Sequence, residues 1–125
     1  MLIKAQGIHF LAKAEQQSYD FTLNDFTRDD QYHDLDLSSL IPAGTKAVLL
    51  WGAYKSDTAD CECRLAQYGH TGTYRKVLRH QHVVNIGQDI DCLMPVDSNR
   101  KIKYAFSSVP TYVYINLSVV AYFVG

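Results

Sequence analysis

The sequence lacks any apolar segment that would carry the chain into or across a membrane. No run approaches the ~18 uninterrupted apolar residues that a membrane helix needs. Near the N-terminus the apolar residues are separated by Lys4, Gln6, His9 and Lys13, whereas a secretory signal requires a continuous apolar region. We therefore expect neither a secretory signal nor membrane insertion.

Cysteine is scarce and odd in number. The chain has three cysteines, Cys61, Cys63 and Cys92, which cannot all pair with one another within one molecule. Together with the missing secretory signal, this count predicts free thiols and synthesis in a reducing cytoplasm.

The sequence has no excess of one charge and no familiar catalytic motif. Twelve basic and thirteen acidic residues give a formal net charge of -1, which argues against nucleic-acid binding because phosphate neutralisation needs a concentrated positive surface. The densest basic stretch, residues 75–82, is short enough for a solvated strand edge or loop. Neither a G-x-S-x-G nucleophile motif nor a phosphate-binding glycine loop is present, so we predict a protein that is not an enzyme and needs no cofactor.

The length and composition indicate one globular domain. The chain has 125 residues, of which 47% are hydrophobic and 20% charged. This length suits one hydrophobic core, and the composition is that of an ordinary folded protein. Residues 1–125 are therefore predicted to form a single domain.

Alternation with a period of two residues dominates the chain and predicts β-strands. It is clearest near the C-terminus, where one face of the predicted strand carries Val113, Ile115, Leu117, Val119, Ala121 and Phe123. The other face carries Tyr112, Tyr114, Asn116, Ser118, Val120 and Tyr122. Because successive side chains alternate across a sheet, we expect the first face in the core.

Further strands are predicted by the same alternation over residues 32–37, 90–96 and 101–106. The segment from Thr45 to Tyr54 is apolar on both faces, with Trp51 among its largest residues. Such a strand is either central and covered or part of a subunit contact. We expect Trp51, in the most apolar run, to lie in the core.

Turn residues separate these strands at short intervals. Pro42-Ala43-Gly44 predicts a turn with proline second and glycine fourth, and residues 97–99 (Asp-Ser-Asn) predict a hairpin loop. Residues 56–60 and 69–72 read as further loops.

The first residues leave two interpretations open. Alternation over residues 8–14 and 19–23 predicts a hairpin with its tip at Gln16 to Ser18, while Phe10 to Gln17 could form a short helix. Residues 1–18 could alternatively form an N-terminal arm that docks on a neighbour. About eight short strands without helices to cover them predict an all-β fold, an antiparallel β-sandwich of the jelly-roll type.

Two motifs could together bind a metal ion. Cys61-Glu62-Cys63 and His80-Gln81-His82 each place two ligands on one face of a strand, and four ligands could converge on zinc if the strands were adjacent and in register. The alternative is that both thiols pack in the core, as free cysteine often does. We favour the latter and expect no metal site.

The nine tyrosines suggest a contact surface. Tyr112, Tyr114 and Tyr122 share one face of the predicted last strand, and tyrosine is enriched at protein interfaces. The alternative is ordinary cross-strand packing on a solvated sheet. If the face is an interface, a cyclic homo-oligomer would bury it by symmetry.

Three stretches resemble a known group of proteins: residues 32–50 (YHDLDLSSLIPAGTKAVLL), 95–104 (PVDSNRKIKY) and 114–123 (YINLSVVAYF). Together they cover about a third of the chain and resemble small β-sandwich domains of tailed-phage structural proteins, at tail-fibre tips and in head-decorating fibres or spikes. The resemblance implies a jelly-roll-like fold, frequent homotrimers and no catalysis. The chain departs from tail fibres in lacking a long fibrous shaft.

These observations predict a virion structural protein that is made in the host cytoplasm, a capsid decoration, spike or tail-associated domain. Its predicted partners are further copies of itself, in a homotrimer, and other virion proteins. The alternative is a module that binds a host receptor or surface glycan at a fibre tip. A metal-dependent cytosolic enzyme is a remote third possibility, because it would need the Cys61, Cys63, His80 and His82 cluster to assemble.

Overall fold

A computed structural model describes residues 7–11, 19–68 and 76–125, with only the backbone described at Lys76. The strands are β1 (Gly7–Phe10), β2 (Phe21–Thr22), β3 (His33–Asp36), β4 (Thr45–Ser56), β5 (Cys61–Gln67), β6 (Lys76–Gln81), β7 (Gln88–Asp89), β8 (Cys92–Pro95), β9 (Lys101–Phe106) and β10 (Tyr112–Val124). A 3-10 turn spans Leu23–Asp25. In this part of the chain no helix has the length and apolar character to cross a membrane.

The strands form two antiparallel sheets. In the six-stranded sheet the order is β1-β10-β4, with β7 and β8 pairing along the far edge of β4 and β2 pairing with β10. The four-stranded sheet has the order β3-β9-β5-β6. Apart from the two-residue strands β2 and β7, the eight remaining strands divide four and four in the jelly-roll order. The predicted all-β, jelly-roll-like sandwich is thereby confirmed.

The core lies between the two sheets. Tyr54 of the six-stranded sheet makes an edge-to-face contact with Phe106 of the four-stranded sheet, at 6.0 Å between ring centroids. Phe106 also contacts Tyr112 edge-on at 5.6 Å. These rings supply large apolar areas in the arrangement that aromatic pairs prefer.

Most predicted strands are confirmed. The expected segments at 32–37, 45–54, 90–96 and 101–106 contain β3, β4, β8 and β9. Within β3, Leu35 is buried while Asp34 and Asp36 are exposed, as the alternation predicted. Ile90, Met94 and Val96 also face the core as expected.

The last strand is confirmed, but its two faces are not uniform. Ile115, Leu117 and Val119 are buried in the core as predicted. Irregularities in the pairing with β4 occur between Tyr112 and Tyr114 and between Val119 and Ala121. An extra residue at a bulge exchanges the faces of the residues beyond it, so a single alternation does not describe the whole strand.

The bulges correct the assignment of three residues. Ala121 and Phe123 lie opposite Leu49 and Ala47, on the face of β4 away from the core, although Ala121 is itself fully buried as predicted. Val113, expected in the core, is 52% exposed because it is the extra residue of the first bulge.

The predicted N-terminal hairpin is wrong. β1 pairs with residues 121–124 of β10, and β2 pairs with Asn116 and Leu117 of the same strand. Both strands therefore lie along one edge of β10 instead of pairing with each other. The expected tip at Gln16 to Ser18 and most of the alternative helix lie outside the described residues, although Phe10 belongs to β1.

Two predicted turns differ in detail. The hydrogen bond from Thr45 N to Pro42 O (3.3 Å) shifts the first turn by one residue, so that Gly44, with φ of 90°, occupies its third position. The segment at 97–99 is a turn, but it connects β8 of one sheet with β9 of the other and is not a hairpin. The loop at 57–60 joins β4 to β5 as expected, and residues 69–72 lie outside the described part.

Gly52 explains how β4 and β10 approach each other so closely. A Cβ atom at this position would lie 2.0 Å from the carbonyl oxygen of Asn116, a distance that backbone atoms cannot relieve without moving the strands apart. Glycine is therefore required at this point in the most apolar strand.

Candidate functional site

The predicted four-ligand zinc cluster does not assemble. β5 and β6 are adjacent, as that hypothesis required, but Cys61 lies opposite Gln81 and His80 lies opposite Glu62. Residues directly opposite in a sheet share a face. Cys61 and Cys63 therefore point into the core, and His80 points to the other side of the sheet.

The environment of the thiols supports the packing interpretation. Cys61 and Cys63 are buried, and burial raises the pKa of the Cys63 thiol far above its usual range. Burial also raises the pKa of Cys92 to about 11. Nucleophilic attack uses the thiolate, which this burial disfavours at Cys63 and Cys92, so the packing interpretation is supported.

The three tyrosines predicted to share one face of the last strand do not share it, because Tyr112 and Tyr122 lie on its core side and Tyr114 on its outer side. Tyr112 is buried in the core and donates its hydroxyl to Ser107 O (2.8 Å). Tyr122 lies opposite Val48 on the core side and stacks on His9, with 5.0 Å between ring centroids. Tyr114, opposite Lys55, remains on the outer face.

An apolar surface lies elsewhere, on the outer face of the six-stranded sheet. Two rows of paired residues cross four strands, from β1 through β10 and β4 to β8. One row contains Phe10, Ala121, Leu49 and Leu93, and the other contains Ile8, Phe123, Ala47 and Pro95. With Trp51, which follows Leu49 on the same face of β4, these residues are called the outer patch below.

The largest side chains of the outer patch are well exposed. The exposed fractions are 72% for Phe10, 60% for Trp51, 57% for Leu93 and 44% for Ile8. The expectation that Trp51 lies in the core is therefore wrong. Its neighbour Leu50 takes the core position, because adjacent strand residues point to opposite faces.

The outer patch is as large as the main apolar patch of a typical monomeric protein. Phe10 and Trp51 together expose roughly 250 Å², since an aromatic side chain carries about 150–250 Å². With Ile8 and Leu93 the exposed area is on the order of 400 Å², within the range of the largest patch on a typical monomer, where such patches often bind partners. The two-faced character of β4 indicated this surface in the sequence.

The outer patch ends in a polar region on the same face. Trp51 lies opposite Ser118 of β10, and Asp91 Oδ1 accepts a hydrogen bond from the backbone N–H of the next residue, Gly52 (3.2 Å). Further along β4, Ala53 lies between Asn116 of β10 and Asp89 of β7. Trp51 therefore stands at the border between apolar and polar surface.

The positions of these residues make two kinds of binding chemically reasonable. The apolar rows can pack against another protein surface, and Trp51 offers an exposed aromatic ring where the polar part of the face begins. Comparison with protein-family models, with curated proteins and with solved structures found no match. The function is consequently argued from the residues of this chain.

Proposed function

We propose that this protein is a structural component of a tailed-phage particle, a capsid decoration, spike or tail-associated domain that acts through protein-protein contacts. The outer patch is the observation that carries the proposal. It presents Phe10, Trp51 and Leu93 on a rigid sheet, and aromatic residues at the centre of an interface supply much of its binding energy.

The fold adds general support. Jelly rolls are used in viral capsid proteins and in lectins, although a fold by itself does not determine a function. The resemblance of residues 32–50, 95–104 and 114–123 to phage β-sandwich domains favours the first of these uses. The combination of that resemblance with an outer patch suited to protein contact leads to the particle role.

The partner that we propose for the outer patch is a further copy of this chain, in a homotrimer. A standard interface buries about 800 Å² on each partner, roughly twice the exposed apolar area of the outer patch. The remainder would come from the polar rim around Trp51, as at ordinary interfaces with an apolar centre. In a cyclic trimer every copy would cover the patch of its neighbour.

We expect the native protein to have a mass near a small multiple of 14.2 kDa in sedimentation velocity experiments. Replacing Trp51 and Leu93 together by serine should shift the protein towards monomer, because two of the largest exposed apolar side chains of the outer patch are lost. Val109→Ser is the matched control, since Val109 is exposed outside the outer patch, and it should leave the mass unchanged.

A native protein that remains monomeric at high concentration would contradict the trimer. The particle role is tested separately by quantitative mass spectrometry of density-purified particles. A fixed copy number that is a multiple of three supports the role. Absence from the particles while the protein is abundant in infected cells would overturn it.

Trp51 favours one alternative function, binding of a host glycan. Its indole is exposed, and Asp91 is hydrogen-bonded to the backbone of the next residue, Gly52. A sugar ring that stacks on the indole would therefore have a carboxylate near it to accept hydrogen bonds from its hydroxyls. A glycan array with the native protein and Trp51→Ala tests this directly. Specific binding that the substitution abolishes would favour the glycan module, and absence of binding would favour the structural role.

A further inference from the structure

A second group of polar side chains lies at one end of the four-stranded sheet, away from the outer patch. Asp60 precedes β5, His80 is in β6 and His82 follows β6. One potential ligand atom from each of these three residues lies within 4.8 Å of the other two. All three are at least partly exposed, so a small ion could reach them.

The backbone brings these residues together. Asp60 N donates a hydrogen bond to Gln81 O (2.7 Å), which joins the start of β5 to the end of β6. The side chain of Gln81 is fully buried, so that His80 and His82 on either side of it point away from the core. Their rings lie 4.3 Å apart between centroids.

The buried Gln81 side chain holds the segment with His80 and His82 in place from the core side of the sheet. Its Oε1 accepts from Ser56 N (2.9 Å), and its Nε2 donates to Ser56 O (2.9 Å) and Val83 O (2.8 Å). These bonds tie the end of β4 to the segment that carries both histidines. The positions of His80 and His82 are therefore set by a buried network and not by their own contacts alone.

His80 lies between two carboxylates. Its Nε2 is 3.2 Å from Asp60 Oδ1, and its Nδ1 is 3.5 Å from Glu62 Oε2. A histidine that binds a metal through one ring nitrogen commonly donates a hydrogen bond from the other nitrogen to a carboxylate, which orients the ring. Glu62 is placed for that role when Nε2 binds the ion.

We propose that Asp60, His80 and His82 bind a divalent transition-metal ion of the zinc type. Imidazole nitrogen and carboxylate oxygen are both good zinc ligands. Three protein ligands leave a fourth tetrahedral position for water or for a group from a neighbouring molecule. Neither Cys61 nor Cys63 takes part, because both face the core.

Zinc binding requires the three ligand atoms to move closer together. Ligand atoms ~2.0–2.1 Å from a tetrahedral zinc ion are about 3.3 Å apart, so no separation needs to shrink by more than roughly 1.5 Å. Asp60 and His82 are exposed, and rotation of exposed side chains can supply this movement. The β5 and β6 backbones need not separate.

Isothermal titration calorimetry with ZnCl2 on the full-length, tag-free protein tests the site. We expect one equivalent of zinc to bind with a dissociation constant in the micromolar range or below. His80→Ala and His82→Ala should each weaken binding at least tenfold. Asp60→Asn should also weaken it, because the amide lacks the negative charge.

His33→Ala is the matched control. His33 also lies beside a carboxylate, with Nε2 2.8 Å from Asp29 Oδ1, but it belongs to β3, at the opposite edge of the sheet. It should leave zinc affinity unchanged, as should Cys92→Ser, which removes the most accessible of the three thiols.

Cobalt(II) absorption provides a second measurement, since tetrahedral coordination by nitrogen and oxygen gives visible bands. Circular dichroism establishes that each variant is folded. Native protein without saturable zinc binding, or folded His80→Ala and His82→Ala variants that bind zinc as tightly as the native protein, would overturn the proposal. Equal weakening by His33→Ala would assign the binding to unspecific surface histidines and overturn it as well.

Discussion

Leu117→Ala is expected to lower the free energy of unfolding by about 2–5 kcal/mol, the usual range for removing a buried leucine side chain. Leu117 is 1% exposed at the centre of β10 and lies opposite Gly52. Because glycine has no side chain, β4 has little with which to fill the space. Urea unfolding measures the effect as a shift of the midpoint at constant slope.

Val113→Ala in the same strand is the control for this prediction. Both residues were expected on one face, but the bulge near Tyr112 leaves Val113 exposed. Substitutions at such surface positions usually change stability by less than about 0.5 kcal/mol. If Val113→Ala destabilises the protein as much as Leu117→Ala, the two residues share an environment and the assignment of the bulge is wrong.

Gln81→Met is expected to cost about 2–4 kcal/mol of unfolding free energy. Methionine is similar in length to glutamine, so the loss of stability comes mainly from the broken hydrogen bonds. Ser56 N, in a fully buried residue, would lose the partner that Gln81 provides, and a buried polar group left without a partner costs about 1–3 kcal/mol. Val83 O would lose a hydrogen bond in an exposed residue, which adds about 1 kcal/mol. Ser56 O still accepts a hydrogen bond from Asn85 N (2.9 Å), which limits the total loss of unfolding free energy.

Gln67→Met serves as the comparison, because Gln67 is half-buried at the end of β5 and lies outside the Gln81 network. It should change the urea midpoint only slightly. The Gln81 variant should also bind zinc more weakly, since His80 and His82 flank the altered residue. A Gln81→Met protein as stable as the native one would show that the buried bonds contribute little beyond packing.

The candidate metal ligands illustrate how far sequence spacing leads. The i and i+2 spacing of His80 and His82 correctly predicted that both imidazoles lie on one side of their strand. The same reasoning placed Cys61 and Cys63 together, and both are indeed in the core. The register between β5 and β6 decided that the two pairs occupy opposite faces, and that Asp60 joins the histidines.

The three tyrosines that the sequence suggested as a contact surface show where the alternation misleads. Alternation assigned Tyr112, Tyr114 and Tyr122 to one face, and two bulges in β10 separate them. A bulge is a property of a strand pair, since it depends on how many residues each partner contributes. The sequence of β10 alone therefore could not indicate where the faces exchange.

The sequence by itself determined the all-β class, the positions of most strands and the burial of Ile115, Leu117 and Val119. These properties follow from local alternation, which depends on neighbours along the chain. Only the tertiary structure decided that Trp51 is exposed, that Ile8 and Phe10 join Leu93 in one patch, and that Asp60 meets His82. These outcomes depend on the pairing of distant strands, and register is set by the fit of whole faces in the core.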